Sequence, residues 1–250
     1  MAAPVDVQPG VPNKQPFAQA GGPISGCPPG LEYLTMIDQV LAHQRVELIE
    51  VFTDWEAKNR FEIKNSMGQQ IYYAFEESAF CMRCCCRQMR EFTMHIVDNN
   101  KQEVIRMYRP FKCCSGCCWC AGGPGSHCSQ EARVEAPVGN TIGSIHQTTS
   151  GCNFEFVIND ANGEPQLRVI GPCCCIQGCQ CCNNEFNVTT MDGEHVGMIQ
   201  RQWSGLLKEC CTAADNFAVT FPQNLDVKMK ATLFGAMFLI DFLAYENTQN

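Results

Sequence analysis

Twenty of the 250 residues are cysteine, and most gather in three groups: CMRCCC from Cys81 to Cys86, CCSGCCWC from Cys113 to Cys120, and CCCIQGCQCC from Cys173 to Cys182. Three chemistries suit them. Cys114/Cys117, Cys117/Cys120 and Cys179/Cys182 are CxxC pairs, the spacing that joins two thiolates to one tetrahedral Zn²⁺. That signal is moderate, because runs of adjacent cysteines produce CxxC by accident and neighbouring thiols on a strand point to opposite faces. His127, the nearest histidine, is not at a customary ligand distance. Cys117, Cys118 and Cys120 beside Trp119 also suit acylation, since stable anchoring takes two or more chains. The third use is as small, buried, unmodified thiols. No basic segment followed by an apolar one opens the chain, so the expected setting is inside the cell, with mostly reduced thiols rather than a disulfide framework.

Other site chemistry finds little support. The five histidines are scattered, and there is no Walker loop, no GxSxG and no HExxH, so the chain reads as a non-enzyme. A formal charge of −8 gives no attraction to nucleic acid or to anionic headgroups. Membrane contact must then rest on apolar surface, attached lipid or a bridging metal.

The elements that would carry these residues are mostly strands. Residues 1–30 hold seven of the thirteen prolines and read as a flexible tail. Its Pro9 and Pro12 form a PxxP, the kind of segment an SH3- or WW-type partner takes. Leu34, Ile37, Val40 and Leu41 recur at helical spacing and predict a short amphipathic helix. RVELIEVF, RFEIK, QQIYYAFEE, EFTMHIVD and QEVIRMYRP then read as strands separated by turns such as NSMG and DNNK.

The pattern repeats. Phe61-Glu62-Ile63 with NSMG is answered by Phe154-Glu155-Phe156 with NDANG, and Glu91-Phe92-Thr93 with DNNK by Glu185-Phe186-Asn187 with MDG. The offsets are 93 and 94 residues, and Cys113-Cys114 precedes Cys210-Cys211 by 97. Two halves of about six strands predict a mainly β fold, twelve antiparallel strands in a sheet or a closed barrel.

The most apolar run lies near the end, and its place decides the reading. The fifteen residues from Ala231 to Tyr245 make a helix of roughly 22 Å against a hydrocarbon core of about 30 Å. Asp241 within it would cost about 2.5–3.5 kcal/mol at the bilayer centre. Both facts favour a helix over residues 227–245 that plugs a barrel, with Phe234, Phe238, Asp241 and Phe242 along it, over one that spans. If it spans, Lys228 and Lys230 mark its cytoplasmic end.

CPPGLEYLTMIDQV, the cysteine clusters, RQWSGLLKE and, above all, DNFAVTFPQNLDVKMKATLFGAMFLIDF resemble the phospholipid scramblases over residues 27–246. The resemblance implies a tubby-like fold, a twelve-stranded barrel around a hydrophobic helix, for residues 31–246, with a short tail at 247–250. It implies Ca²⁺-triggered, ATP-independent, bidirectional movement of phospholipids at the cytoplasmic face of the plasma membrane. The protein would be palmitoyl-anchored at Cys117, Cys118 and Cys120, or single-pass, and would act as a homo-oligomer if the helix lines a path. The family's calcium segment falls on Ala213 to Asn224, with Asp215, Phe217, Val219, Phe221 and Asn224 at its positions and Asp226 as a nearby substitute. Ala213 and Asn224 stand where strongly acidic members carry Asp, so the expectation is weak binding, of high-micromolar to millimolar order. The alternative is that Phe217, Val219 and Phe221 simply face inward on a strand. The family's nuclear-import segment maps to Gly197–Leu206, where Arg201 is the lone basic residue, so nucleic acid is not expected as a partner. The rival function is a palmitoyl-anchored adaptor or lipid sensor without transport.

Overall fold

The computed structural model describes residues 24–45, 58–86, 89–113, 128–150, 153–173, 185–202 and 216–245. Twelve strands alternate direction: β1 (Gln39–Arg45), β2 (Lys58–Lys64), β3 (Gln70–Glu77), β4 (Phe92–Val97), β5 (Glu103–Arg109), β6 (Glu131–Glu135), β7 (Thr141–Ser150), β8 (Asn153–Asp160), β9 (Pro165–Cys173), β10 (Glu185–Thr190), β11 (His195–Gln202) and β12 (Asn216–Thr220). Each pairs with its neighbours in the chain, and β12 closes on β1 from Gln39 opposite Thr220 to His43 opposite Asn216. Closure leaves no edge strand. The sequence repeat is a repeat of six strands: Phe61 lies on β2 and Phe154 on β8, Phe92 on β4 and Phe186 on β10.

Period-two alternation builds the lumen. Phe154, Phe156 and Ile158 of β8 are buried, as are Phe186 and Val188 of β10, while the residues between them are less covered. Helix α3 (Val227–Ala244) runs through this apolar space, and all its residues from Met229 to Ile240 are buried, with Phe242 and Leu243. Phe238 meets Phe61 edge-on at 5.3 Å, and Phe242 lies 4.8 Å from Phe92. The helix presses closest on β6 and β7. A Cβ on Gly235 would come 2.7 Å from a Val134 methyl carbon, and one on Gly143 would come 2.5 Å from the Thr232 hydroxyl.

The outer face of the wall is charged. Arg45 and Lys64 pair with Glu62 at 2.8 and 3.3 Å, Arg106 with Glu103 at 2.6 Å, Lys112 with Glu131 at 2.7 Å, and Arg168 with Glu155 at 3.2 Å. A membrane-spanning barrel is built the other way round, with an apolar outside and a polar lumen.

Two elements differ from the sequence reading. The amphipathic helix shrinks to α1 (Glu32–Thr35), and Val40 and Ala42 instead point inward from β1. Pairing with both β2 and β12 overrides the helical spacing, because without β1 the barrel would be open. CMRCCC, left between hairpins, forms α2 (Phe80–Cys86). RVELIEVF lies outside the described residues apart from Arg45.

Candidate functional site at the two ends of the barrel-filling helix

Helix α3 enters the barrel at the rim formed by the short turns β2–β3, β4–β5, β6–β7, β8–β9 and β10–β11, here called the turn rim. Asp226 is its N-cap, the carboxylate accepting from the backbone N–H groups of Lys228 and Met229 at 2.9 and 3.3 Å. One turn on, Lys230 has no exposed surface. Its ammonium donates to the carbonyls of Leu34, Ile37 and Gln223 at 2.8, 2.9 and 2.8 Å and lies 5.1 Å from the Phe221 ring. Three donors meet three acceptors, so the charge is buried with its hydrogen bonds complete. Burial pushes its pKa below the usual lysine value, and Asp38 opposes the shift. Lys230 therefore ties the helix to the segment before β1 and to the β12–α3 turn, which differs from the membrane-end marker that a spanning helix implied.

The helix ends at the opposite rim, against arginines. Arg90 and Arg109 each place their guanidinium 4.5 Å from the Phe242 ring, and Arg201 lies 4.6 Å from Tyr245. Arg90 is itself paired with Glu76 at 3.0 Å in a buried ion pair. Arg109, fully buried, donates to the Arg90 carbonyl and to the Gln130 side chain. Cations here face the carbonyl end of the helix dipole, their favourable place. Sequence reasoning missed Lys230 in this role and missed the Glu76, Arg90 and Arg109 group altogether. A lone lysine followed by fourteen residues that include only one charge was the available signal for the first; for the second there was none, since its members come from separate strands and connections.

The expected site residues separate cleanly. Phe217 and Val219 are buried in the core on β12, laddered to β1 on one side and β11 on the other, and Phe221 is buried just past its end. Asn224 is exposed in the β12–α3 turn, and Asp226 is occupied as the helix cap. Ca²⁺ takes six to eight oxygens, and these residues bring no such set together, so the described part of the segment does not fit the ion. Asp215 and Ala213 lie outside the described residues, as do Cys117, Cys118 and Cys120. Phe234, Phe238 and Phe242 line α3 within the lumen, and Asp241 is part-buried near its end. Among the described residues no helix is long and apolar enough to cross a membrane, and no cluster of three or more His, Cys, Asp or Glu could hold a metal. Cys81, Cys85 and Cys113 are exposed. Cys128 is disulfide-bonded, a single exception beside the expectation of mostly reduced cysteines.

Comparison with known proteins places the whole barrel. A family model described as Scramblase matches residues 17–247. Phospholipid scramblase 1 of Rattus norvegicus is 46% identical over 97% of this chain and 70% of its own length. Phospholipid scramblase 2 of Bos taurus is 46% identical over 98% and 81%, and phospholipid scramblase 2 of Homo sapiens 45% identical over 98% and 80%. A solved structure of an Arabidopsis thaliana protein aligns over 83% of this chain and 94% of its own with TM-score 0.42 and 10% identity, too slight a likeness to carry an argument. With the family matched from the proline-containing segment to the end of α3, this chain belongs to the scramblase family.

Proposed function

We propose that this protein moves phospholipids between the leaflets of a membrane, in both directions and without ATP, at the cytoplasmic face of the plasma membrane. One observation carries the reading: identity of 45–46% over nearly the whole chain to proteins named phospholipid scramblase. The lack of a Walker loop supports independence from ATP. Acylation at Cys117, Cys118 and Cys120 supplies the anchor that a charge of −8 cannot. Phe217–Asp226 bring together no set of oxygens that would hold Ca²⁺. The test is exchange of fluorescent phospholipid in liposomes holding the purified full-length chain, with and without Ca²⁺. Exchange that rises with protein-to-lipid ratio supports the proposal, and its absence at every ratio overturns it.

A second reading, a membrane-held adaptor or lipid sensor, is favoured by a specific observation. The lumen is filled by α3, which is held at both ends, and the outer wall carries ion pairs. A groove of about 500 Å³ over β5–β8 carries Glu131, Arg133 and Asp160 among its lining residues. Among the described residues the barrel thus presents no lipid path, and transport through them would require an assembly of copies or release of the helix. Liposomes that bind the chain yet show no exchange would select this reading.

A further inference from the structure

Four outward side chains on β6 and β7 form a square fixed by the register of the barrel. Ala132 and Val134 of β6 and Ile145 of β7 are buried, so period-two alternation turns Glu131 and Arg133, and likewise Ser144 and His146, to the outer face. The two strands pair with Glu131 opposite His146 and Arg133 opposite Ser144. A carboxylate therefore stands beside an imidazole, and a guanidinium beside a hydroxyl.

The contacts within the square run in one order. His146 Nε2 lies 3.1 Å from the Ser144 hydroxyl oxygen, and its Nδ1 lies 3.5 Å from Glu131 Oε2. Lys112 donates to the other Glu131 oxygen at 2.7 Å, which holds the carboxylate in place. With the imidazole proton on Nδ1, toward the carboxylate, Nε2 is left to accept from the hydroxyl, the arrangement that activates a serine. Such contacts are commonly longer before a substrate binds than in the reacting complex. Other histidines of the wall are placed differently: His43 meets the Asn216 side chain at 2.9 Å, and His95 lies between the carboxylates of Glu77 and Glu103 at 2.8 and 2.7 Å. His146 instead joins a hydroxyl to a carboxylate. No GxSxG marks the group, because Ser144 and His146 share one strand and Glu131 comes from the next.

All four side chains line the groove of about 500 Å³ on the outer wall. It runs from Pro110 and Glu131 at the arginine rim, where α3 ends, to residues 160–163 at the turn rim, and Tyr108, Pro110 and Ala161 give it apolar surface. We propose that Ser144, His146 and Glu131 make this groove an esterase site for carboxylic esters whose short acyl group lies against Tyr108 and Pro110. The Ser144 oxygen attacks the ester carbonyl carbon while its proton passes to His146 Nε2, and Glu131 keeps the imidazole in the required tautomer. Arg133, directly across from Ser144, supplies positive charge beside the carbonyl oxygen as it becomes an oxyanion. The bond from the carbonyl carbon to the alkoxy oxygen then breaks, and the alcohol leaves with the proton from Nε2. Water adds to the acyl-serine by the same route, giving a proton to Nε2 that returns to the Ser144 oxygen as the carboxylic acid departs. Neither release of α3 nor passage of a lipid enters this chemistry, so the activity is separate from lipid exchange.

The test treats the purified full-length chain with an alkyl fluorophosphonate, maps the adduct by peptide mass spectrometry, and follows hydrolysis of 4-nitrophenyl butyrate. Mapping is needed because the chain has twenty cysteines, whose thiols also attack activated esters. The adduct should form on Ser144 and be lost in His146→Ala. Ser144→Ala and His146→Ala should each lower kcat about a hundredfold with an unchanged melting temperature, since both side chains lie on the outer face. Glu131→Gln, which alters a positioning residue, should lower kcat and leave KM unchanged. Absence of an adduct on Ser144 in the unaltered chain overturns the proposal whatever the variants do. An adduct on Ser144 that persists in His146→Ala, or hydrolysis undiminished in Ser144→Ala, overturns it as well.

Discussion

The two ends of helix α3 are both closed by buried cations, but in unlike ways. At the turn rim, Lys230 is held by three backbone carbonyls, which belong to the chain itself and cannot rotate out of the way. At the arginine rim, Arg90 and Arg109 cover Phe242 with side chains that have rotamers to change to. Freeing the first end orphans an ammonium and three carbonyls together, whereas freeing the second re-aims guanidinium groups that stay charged and can be solvated. If the helix loosens in function, it should do so from Tyr245 backward, with Lys230 as the fixed point.

The largest expected effect comes from breaking the arginine end in a way that strands a charge. Arg90→Leu leaves the Glu76 carboxylate buried without its main partner and should cost about 3–5 kcal/mol in denaturant unfolding. Pairing it with Glu76→Leu should recover most of that loss, and if it does not, Arg90 stabilises chiefly through Phe242 rather than through the ion pair. The turn end is probed by Lys230→Met, which keeps the side-chain length and removes three donors. A loss of about 2–4 kcal/mol is expected, and a loss under half a kcal/mol, about the scale of a neutral surface change, would mean that the carbonyls find water and the end is not fixed.

How much of this was legible in the chain depends on whether the residues act locally. The barrel was legible because Phe61 and Phe154, or Phe92 and Phe186, stand at nearly constant offsets, and a six-strand repeat preserves that spacing through every hairpin. Helix α3 was legible because its composition leaves it no surface to face, and its observed start at Val227 follows a cap that is itself a sequence signal. β1 was misread because Leu34, Ile37, Val40 and Leu41 satisfy a helical period by coincidence, while its strand partners lie up to 181 residues away, as in Gln39 opposite Thr220. Lys230 and the arginines were hidden for the same reason: a buried charge is licensed by partners distant in sequence, and no local pattern announces them.

Between the two ends, the close approach of α3 to β6 gives a smaller effect with a telling sign. Gly→Ala inside a helix ordinarily stabilises by about 1 kcal/mol. At Gly235 the new methyl would meet Val134, so the net should be a loss of about 1–2 kcal/mol in stability, read as a lower melting midpoint. A gain would show that the helix has room to shift in the lumen. The outer wall supplies the control that touches neither end. Burial raises the Glu103 pKa, but hydrogen bonds from His95 at 2.7 Å and from Arg106 outweigh it and hold the carboxyl at about 2. Its folded value is below the unfolded one, so its contribution is fully present above the unfolded value near 4.3 and is lost as pH falls through about 2. Glu103→Gln should therefore lower stability by on the order of 1–2 kcal/mol at neutral pH and flatten the acid limb between those two values. An unchanged acid limb would assign that limb to other carboxylates.

The smallest effect separates two roles for Asp226. As a cap it needs an oxygen acceptor for the Lys228 and Met229 N–H groups, which asparagine supplies as well as aspartate does. As a Ca²⁺ ligand it needs its charge, which asparagine lacks. Asp226→Ala should cost about 1 kcal/mol in thermal unfolding, and Asp226→Asn only a few tenths. Any rise in melting temperature that Ca²⁺ brings to the unaltered protein should persist in Asp226→Asn, since binding of a ligand to the folded state alone raises stability by mass action. Loss of that rise in the asparagine variant, with the cap intact, would move Asp226 from the machinery that fixes the turn end of α3 to the machinery that senses the ion, and would make the turn rim the end at which the helix is released.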